Sequence, residues 1–236
     1  MKSLSLVIPV FNAPDLARTV AAAVPGLART AAACGFGLVE AIFVDDGSEP
    51  ALDLPAAVAC ESGPPVPIRV LRQPVNCGKG AAVRRGALEA KGGWVLMSDV
   101  DMSAPFGEFV HLATRADAWM VCGSRHGRTG MPFRRRVLSY LFHLCVWCAG
   151  VRGVYDTQCG FKLFRMDVMR AVFERQRIAR FAFDVELIRR VQAAGGEVAE
   201  VPVEWKGGVR SSLCVFRDAP RMLWDLFRFR KEIRQK

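Results

Sequence analysis

The chain has 236 residues, of which 51% are hydrophobic and 24% charged, with a formal net charge of +10. That length supports a core needing neither disulfides nor a structural metal, and the composition excludes a disordered or fibrous chain. The basic excess favours an anionic partner: a membrane surface, a nucleic acid or a phosphorylated substrate.

Leu4 to Val10 reads as a first buried strand. Asn12, Pro14 and Asp15 make a turn, and Leu16 to Ala33 is helical, with an interruption signalled at Pro25-Gly26. Leu38 to Val44 is a second strand that ends in Asp45-Asp46-Gly47-Ser48. Residues 50–67 are rich in Pro, Ala and Gly, with a short helix signalled near Ala56. Ile68 to Leu71 is a third strand, Gly80 to Ala90 a helix, and Trp94 to Met97 a fourth strand. Strand and helix alternate, with crossovers long enough for parallel pairing. The expected class is therefore α/β, with residues 1–105 as a nucleotide-binding half. Residues 106–236 are less regular. Trp119 to Cys122 and Val198 to Val203 read as strands. Arg134 to Gly150, Asp167 to Phe173, Asp184 to Ala194 and Arg217 to Lys236 read as helices. With no repeat or low-complexity linker, residues 1–236 are expected to form a single domain.

The N-terminal MKSLSLVIPVFN enters a strand at once, so no signal peptide is expected. The apolar run Val137 to Val151 falls short of the ~20 residues of a membrane span and contains Ser139 and His143. The eight cysteines are scattered. Cys145 and Cys148 form a CxxC with no second pair to complete a zinc site, so free thiols in a reducing, cytoplasmic setting are expected.

Chemistry concentrates where the apolar run Trp94-Val95-Leu96-Met97 ends in Ser98-Asp99-Val100-Asp101. Carboxylates at i and i+2 after a buried strand stand at the sheet edge where α/β proteins bind ligands. Such oxygen ligands suit Mg²⁺ or Mn²⁺ shared with substrate phosphates; the same residues also suit a plain turn. Asp45 ends a buried strand where a carboxylate can accept from a base or a ribose, or simply form an Asp-Gly turn. Asn76-Cys77-Gly78-Lys79-Gly80 lacks the rest of a P-loop; it opens a helix where Lys79 suits phosphate, or is simply a Gly-rich helix start with solvated charges. From Gly123 to Arg136 there are five arginines and no acid: Arg125, Arg128, Arg134, Arg135 and Arg136. They read as a solvated basic loop or, since they lead into an apolar helix, as a site for a lipid phosphate. From Lys206 to the end, nine Lys or Arg face three Asp or Glu. With Met222, Leu226, Phe229 and Ile233 on one stripe, that segment matches a basic amphipathic helix at an anionic membrane surface, or one packed on the core. No nucleic-acid motif is present.

Taken together, VIPVFN, VDDGS, NCGKGAAVRRGALEA, SDVDMSAP, CGSRHG, YDTQCGFKLF, FAFDVELI and VPVEW resemble the family 2 glycosyltransferases, in family order and over nearly the whole chain. They are most similar to the dolichyl/polyprenyl-phosphate β-glucosyltransferase branch. The resemblance implies a GT-A fold: a mainly parallel, mixed sheet between helices. It also implies that Pro9, Val10, Asn12, Asp45, Lys79, Asp99 and Asp101 line the nucleotide-sugar site, with Asp101 the direct metal ligand and Asp99 its companion. Arg125, Arg135 and Ser139 would hold the acceptor phosphate. Asp156 would act as base or orienter, and Asp184 and Glu186 would lie near the sugar, unless Asp184 is a helix cap. Ser103 and the DTQCGF motif lean towards the glucosyl branch. The family usually carries an acid where Ala13 stands, so one nucleotide contact is missing or replaced. The implied activity is inverting, metal-dependent transfer of a hexose from a nucleotide-sugar, UDP-glucose favoured, to a polyprenyl phosphate at the cytoplasmic face of a membrane. The rivals are transfer to a non-lipid glycan and a non-catalytic basic binding module. The sequence leaves the oligomeric state open.

Overall fold

The computed structural model describes residues 1–61, 63–125, 146–147, 150–206, 222 and 224–225. Helix 134–150, apart from residues 146, 147 and 150, and nearly all of the expected C-terminal helix lie outside them, as do Arg135 and Ser139. Eight strands form one sheet: β1 Lys2–Val10, β2 Phe36–Asp45, β3 Ala57–Val58, β4 Val66–Arg72, β5 Trp94–Ser98, β6 Met120–Ser124, β7 Phe161–Arg165 and β8 Val198–Pro202. Their order is β3-β4-β2-β1-β5-β7-β6-β8. β4, β2, β1 and β5 pair in parallel, as do β6 and β8, whereas β7 runs antiparallel between β5 and β6.

The two faces are built by period-two alternation. Leu4, Leu6, Ile8 and Val10 of β1 point into one core, and Val7 points into the other. Helix α1, Pro14–Ala33, covers the first core with Ala17, Val20, Ala21, Val24, Leu27 and Ala31, spaced for one helical face. Helix α3, Phe109–Ala113, adds Phe109 and Leu112 to that side. Helices α2, Lys79–Glu89, α4, Met166–Glu174, and α5, Phe183–Ala193, cover the second core.

Three expectations are corrected. Helix α1 runs unbroken through Pro25. A proline inside a helix costs about 3 kcal/mol, but buried residues on both sides of Pro25 hold the two halves in one stripe. Near Ala56 the chain forms the short edge strand β3, which pairs antiparallel with β4, rather than a helix. The segment Phe161–Arg165, not expected as a strand, is β7. Among the described residues no helix is long and apolar enough to cross a membrane, and Cys34, Cys60, Cys77, Cys122 and Cys159 are free thiols.

After β1 the chain builds outward through β2 and β4, then crosses to β5 on the other side. The strand order thus reverses between β1 and β5, which opens a crevice at their carboxyl ends. The packing of α2 against the sheet at that point depends on Gly86, where a Cβ would stand 2.5 Å from Val7 Cγ1 and 3.0 Å from Val44 Cγ2. Gly86→Val is expected to destabilise the protein by about 1–3 kcal/mol. Gly26→Ala, with nothing within 4 Å of the new Cβ, should instead stabilise it by about 0.5–1 kcal/mol. Urea denaturation midpoints check both.

Candidate active site

Asn12, just past β1, adopts a left-handed φ of 49°, which asparagine tolerates better than most residues. Its backbone N–H donates to Ser48 Oγ at 2.9 Å, and its Oδ1 accepts the Glu49 N–H at 3.0 Å, so it clasps the β1 exit to the β2 exit. Pro9 and Val10 pair with Val44 and Asp45 in register; Val10 is buried in the core beneath the edge. Asp45 is fully buried. It accepts the N–H groups of Ser48 (2.8 Å) and Leu52 (3.1 Å) and the Arg72 guanidinium (2.9 Å). Burial works to raise its carboxyl, but the Ser48 and Leu52 donors and the Arg72 charge outweigh it and hold the group below the usual range. Asp45 and Arg72 thus stand together at the carboxyl edge of the sheet.

Asp46 turns the other way and accepts from Gln73 Nε2, Cys77 N and Gly78 N at 2.7, 2.7 and 2.9 Å. It thereby shapes the loop before α2. Gly78 has φ +106°, and a Cβ there would meet Ala179 O at 2.6 Å. The Ala81 N–H donates to that same carbonyl. Gly78, just before α2, and Gly80, in its first turn, therefore let the chain lie against residues 178–180. What this segment sends into the crevice is the Lys79 side chain, whose Nζ stands 2.5 Å from Asp99 Oδ1.

Asp99 follows β5, and its backbone N–H donates to Gly160 O at 3.0 Å. A Cβ on Gly160 would fall on the Asp99 carboxylate, so a larger residue there would have to displace that side chain. Asp101 is half-buried, and its Oδ1 accepts the Ser103 N–H at 3.0 Å. Among the described residues no cluster of three or more His, Cys, Asp or Glu could hold a metal by itself. Two carboxylates with hard oxygens fit a cation that completes its shell from substrate phosphates and water.

Because β7 is antiparallel, its first residues lie on the same edge as the last of β5 and β6. Ser98 pairs with Phe161, and Cys122 with Lys162. This brings the 156–160 loop beside Arg125, the residue after β6. Arg125 grips Asp156 through Nε and Nη2, both at 2.6 Å, and its backbone N–H adds a third bond at 2.9 Å. Glu200 of β8 accepts the N–H groups of Tyr155 and Asp156 at 2.8 Å each. The Trp205 ring lies 5.0 Å from the guanidinium of Arg125. Burial works to raise the Asp156 carboxyl, but the Arg125 hydrogen bonds and charge hold it below the usual range.

Asp184 is not a cap; Ala182 precedes the helix. Asp184 instead pairs with the buried Lys162 at 2.8 Å. Burial works against the Lys162 charge, yet the Asp184 charge keeps it protonated well above the usual range. Glu186, also buried, accepts from Arg177 N, Ile178 N and Arg190 Nε, and so orders the 176–182 loop. Glu200, Trp205 and Lys162 were not singled out from sequence. A lone acid inside the apolar strand β8 was the available signal for Glu200.

A crevice at a strand-order reversal, edged by an Asp-x-Asp pair and by an Arg–Asp pair that an inserted antiparallel strand delivers, stands where open α/β sheets bind ligands. The sequence model of Glycosyl transferase family 2 matches residues 5–173, and the chain belongs to that family. It is similar to the dolichyl-phosphate beta-glucosyltransferase of Dictyostelium discoideum, 36% identical over 203 residues, 81% of this chain and 62% of that protein. It is also similar to the enzyme of that name from Homo sapiens, 34% identical over 79% of this chain and 62% of that protein. The chain thus spans about three fifths of the length of these relatives. Among solved structures, glucosyl-3-phosphoglycerate synthase from Mycobacterium tuberculosis in complex with phosphoglyceric acid matches with a TM-score of 0.66 at 16% identity. That match covers 97% of this chain and 78% of the other. Mannosyl-3-phosphoglycerate synthase from Rubrobacter xylanophilus matches with 0.66 at 19%, covering 99% and 74%. These likenesses show the fold, the expected mixed α/β GT-A arrangement.

The Arg125–Asp156 pair carries a stability prediction. A carboxyl held low in the folded state stabilises the protein above its unfolded pKa of about 3.9, and this is lost as pH falls through the lower folded value. Arg125→Ala is therefore expected to cost about 2 kcal/mol at pH 7, with the penalty shrinking towards pH 3. Urea unfolding of parent and variant at the two pH values measures it.

Proposed function

We propose that the chain transfers glucose from UDP-glucose to a polyprenyl phosphate, with inversion, while lying as a peripheral protein on the cytoplasmic face of a membrane. The observation that carries this reading is the shared edge of Asp99, Asp101 and Lys79 with the Arg125–Asp156 pair, in a chain similar to dolichyl-phosphate beta-glucosyltransferases. A solved neighbour of the same fold is described in complex with Mn²⁺, UDP-glucose and phosphoglyceric acid, which supports a uridine donor and a divalent ion.

Asp101, with Asp99 beside it, would hold Mg²⁺ or Mn²⁺. The ion when bound would neutralise charge on the leaving diphosphate. The nucleotide base would lie over the β1 and β2 exits, where Asn12, Asp45 and Arg72 stand. With Nε and Nη2 of Arg125 committed to Asp156, Nη1 is the nitrogen that would meet the acceptor phosphate. Arg135 and Ser139, outside the described residues, would join it. A phosphate monoester is already anionic at neutral pH, so the nucleophile needs no strong base. Asp156 then serves to aim Arg125, a contribution of proximity and orientation. The basic C-terminal segment would draw the protein to anionic lipid.

The test is transfer of labelled glucose from UDP-glucose to dolichyl phosphate with Mn²⁺, against a lipid-free acceptor. Product in the lipid phase that disappears with chelator supports the reading, and transfer only to the lipid-free acceptor favours the non-lipid alternative. Asp101→Ala should lower the rate at least about a hundredfold. The acid limb of kcat should lie near pH ~6, the second ionisation of a phosphate monoester. It should not move in Asp156→Asn, since Asp156 stays ionised far below that pH. A limb that vanishes in this variant would make Asp156 the base instead.

A further inference from the structure

The ammonium of Lys79 faces Asp99 at 2.5 Å, and the two side chains are only 20% and 28% exposed. Asp184 lies within electrostatic reach of both Lys79 and Asp99, but its own counter-ion is Lys162 at 2.8 Å. Lys162 is fully buried and also donates to Cys159 O. The charges therefore alternate from core to crevice: Lys162, Asp184, Lys79, Asp99. The inner pair is locked, because separating a buried ion pair strands an uncompensated charge. Asp99 is anchored through its main chain, by its N–H bond to Gly160 O, and its carboxylate lies over Gly160. The movable member is Lys79, a point charge on a flexible four-carbon stem.

One consequence concerns the Asp-x-Asp pair. In the free protein the charge of Asp99 is already met by Lys79, whereas Asp101 has no ion pair among the described residues. We infer that Lys79 is an internal counter-ion that competes with a divalent cation for Asp99. The free protein then engages the cation through Asp101, and Asp99 is released only when an anionic diphosphate draws the Lys79 ammonium away. The cation and the donor would thus enter as a unit, and an empty site would hold little metal. The inference rests on the donor-site reading proposed above.

The test uses Mn²⁺ alone, with no nucleotide, titrated into the full chain and followed by electron paramagnetic resonance of the free ion. Lys79→Gln and Lys79→Met, two neutral replacements, should bind Mn²⁺ about tenfold or more tightly than the parent, since a neighbouring unit charge of like sign is removed. Lys79→Arg keeps the charge and should bind as the parent does. Circular dichroism establishes that each variant is folded. Unchanged or weaker Mn²⁺ binding in the folded neutral variants overturns the inference. The double variant Lys79→Gln/Asp101→Asn separates the two levels. Loss of binding there, with no gain in Lys79→Gln, sinks the counter-ion role alone. Binding that survives puts the ion elsewhere and sinks the donor-site reading with it.

Discussion

The reversal of β7 is the constraint on which the site depends. Were the sheet wholly parallel, the loop before this strand would emerge at the opposite edge, far from Asp99. Running antiparallel, β7 begins where β5 ends, with Phe161 paired to Ser98 and Gly160 bonded to the Asp99 backbone. That one inserted strand brings Asp156 to Arg125, and Gly160 to the Asp99 carboxylate. It also sends Lys162 into the second core to meet Asp184. One side of the crevice comes from the parallel strands, and the other from the strand that breaks their direction.

The carboxylates divide into two groups by what they touch. Glu40, Asp46 and Glu186 are buried and accept backbone N–H groups from loops that have no other way to satisfy them. Glu40 does this at the end of the sheet away from the crevice, where it joins Ser5, Lys91 and Arg69. These acids hold loops, and their charges are met by hydrogen bonds rather than by water. Asp99 and Asp101 remain partly open at the edge. Asp45 stands between the groups, buried like the first and placed like the second, with Arg72 covering it.

Much of this was legible in the sequence. Apolar runs marked β1, β2, β4, β5, β6 and β8 to within a few residues; β5 and β6 are buried along their whole length, whereas β4 and β8 keep one face partly open. Asp99 and Asp101 were legible as a strand-end pair, and the combined motifs pointed to family 2. β7 was not legible, because Lys162 interrupts its apolar pattern. Only a partner on α5, 22 residues later, makes a lysine tolerable there. The pairing of Arg125 with Asp156 was hidden for a similar reason. The residues are 31 apart in sequence, and each read alone as a group meant for substrate. The continuity of α1 through Pro25 came from tertiary burial, which outweighs a local breaker signal.

The claim that the β1/β5 crevice is a metal-assisted nucleotide-sugar site is tested most directly by anomalous diffraction from crystals grown with Mn²⁺ and UDP. The account predicts one strong manganese peak against the Asp101 carboxylate, with the diphosphate beside it and the base over the exits of β1 and β2. A manganese peak at any other carboxylate, or UDP bound outside this crevice, would contradict it.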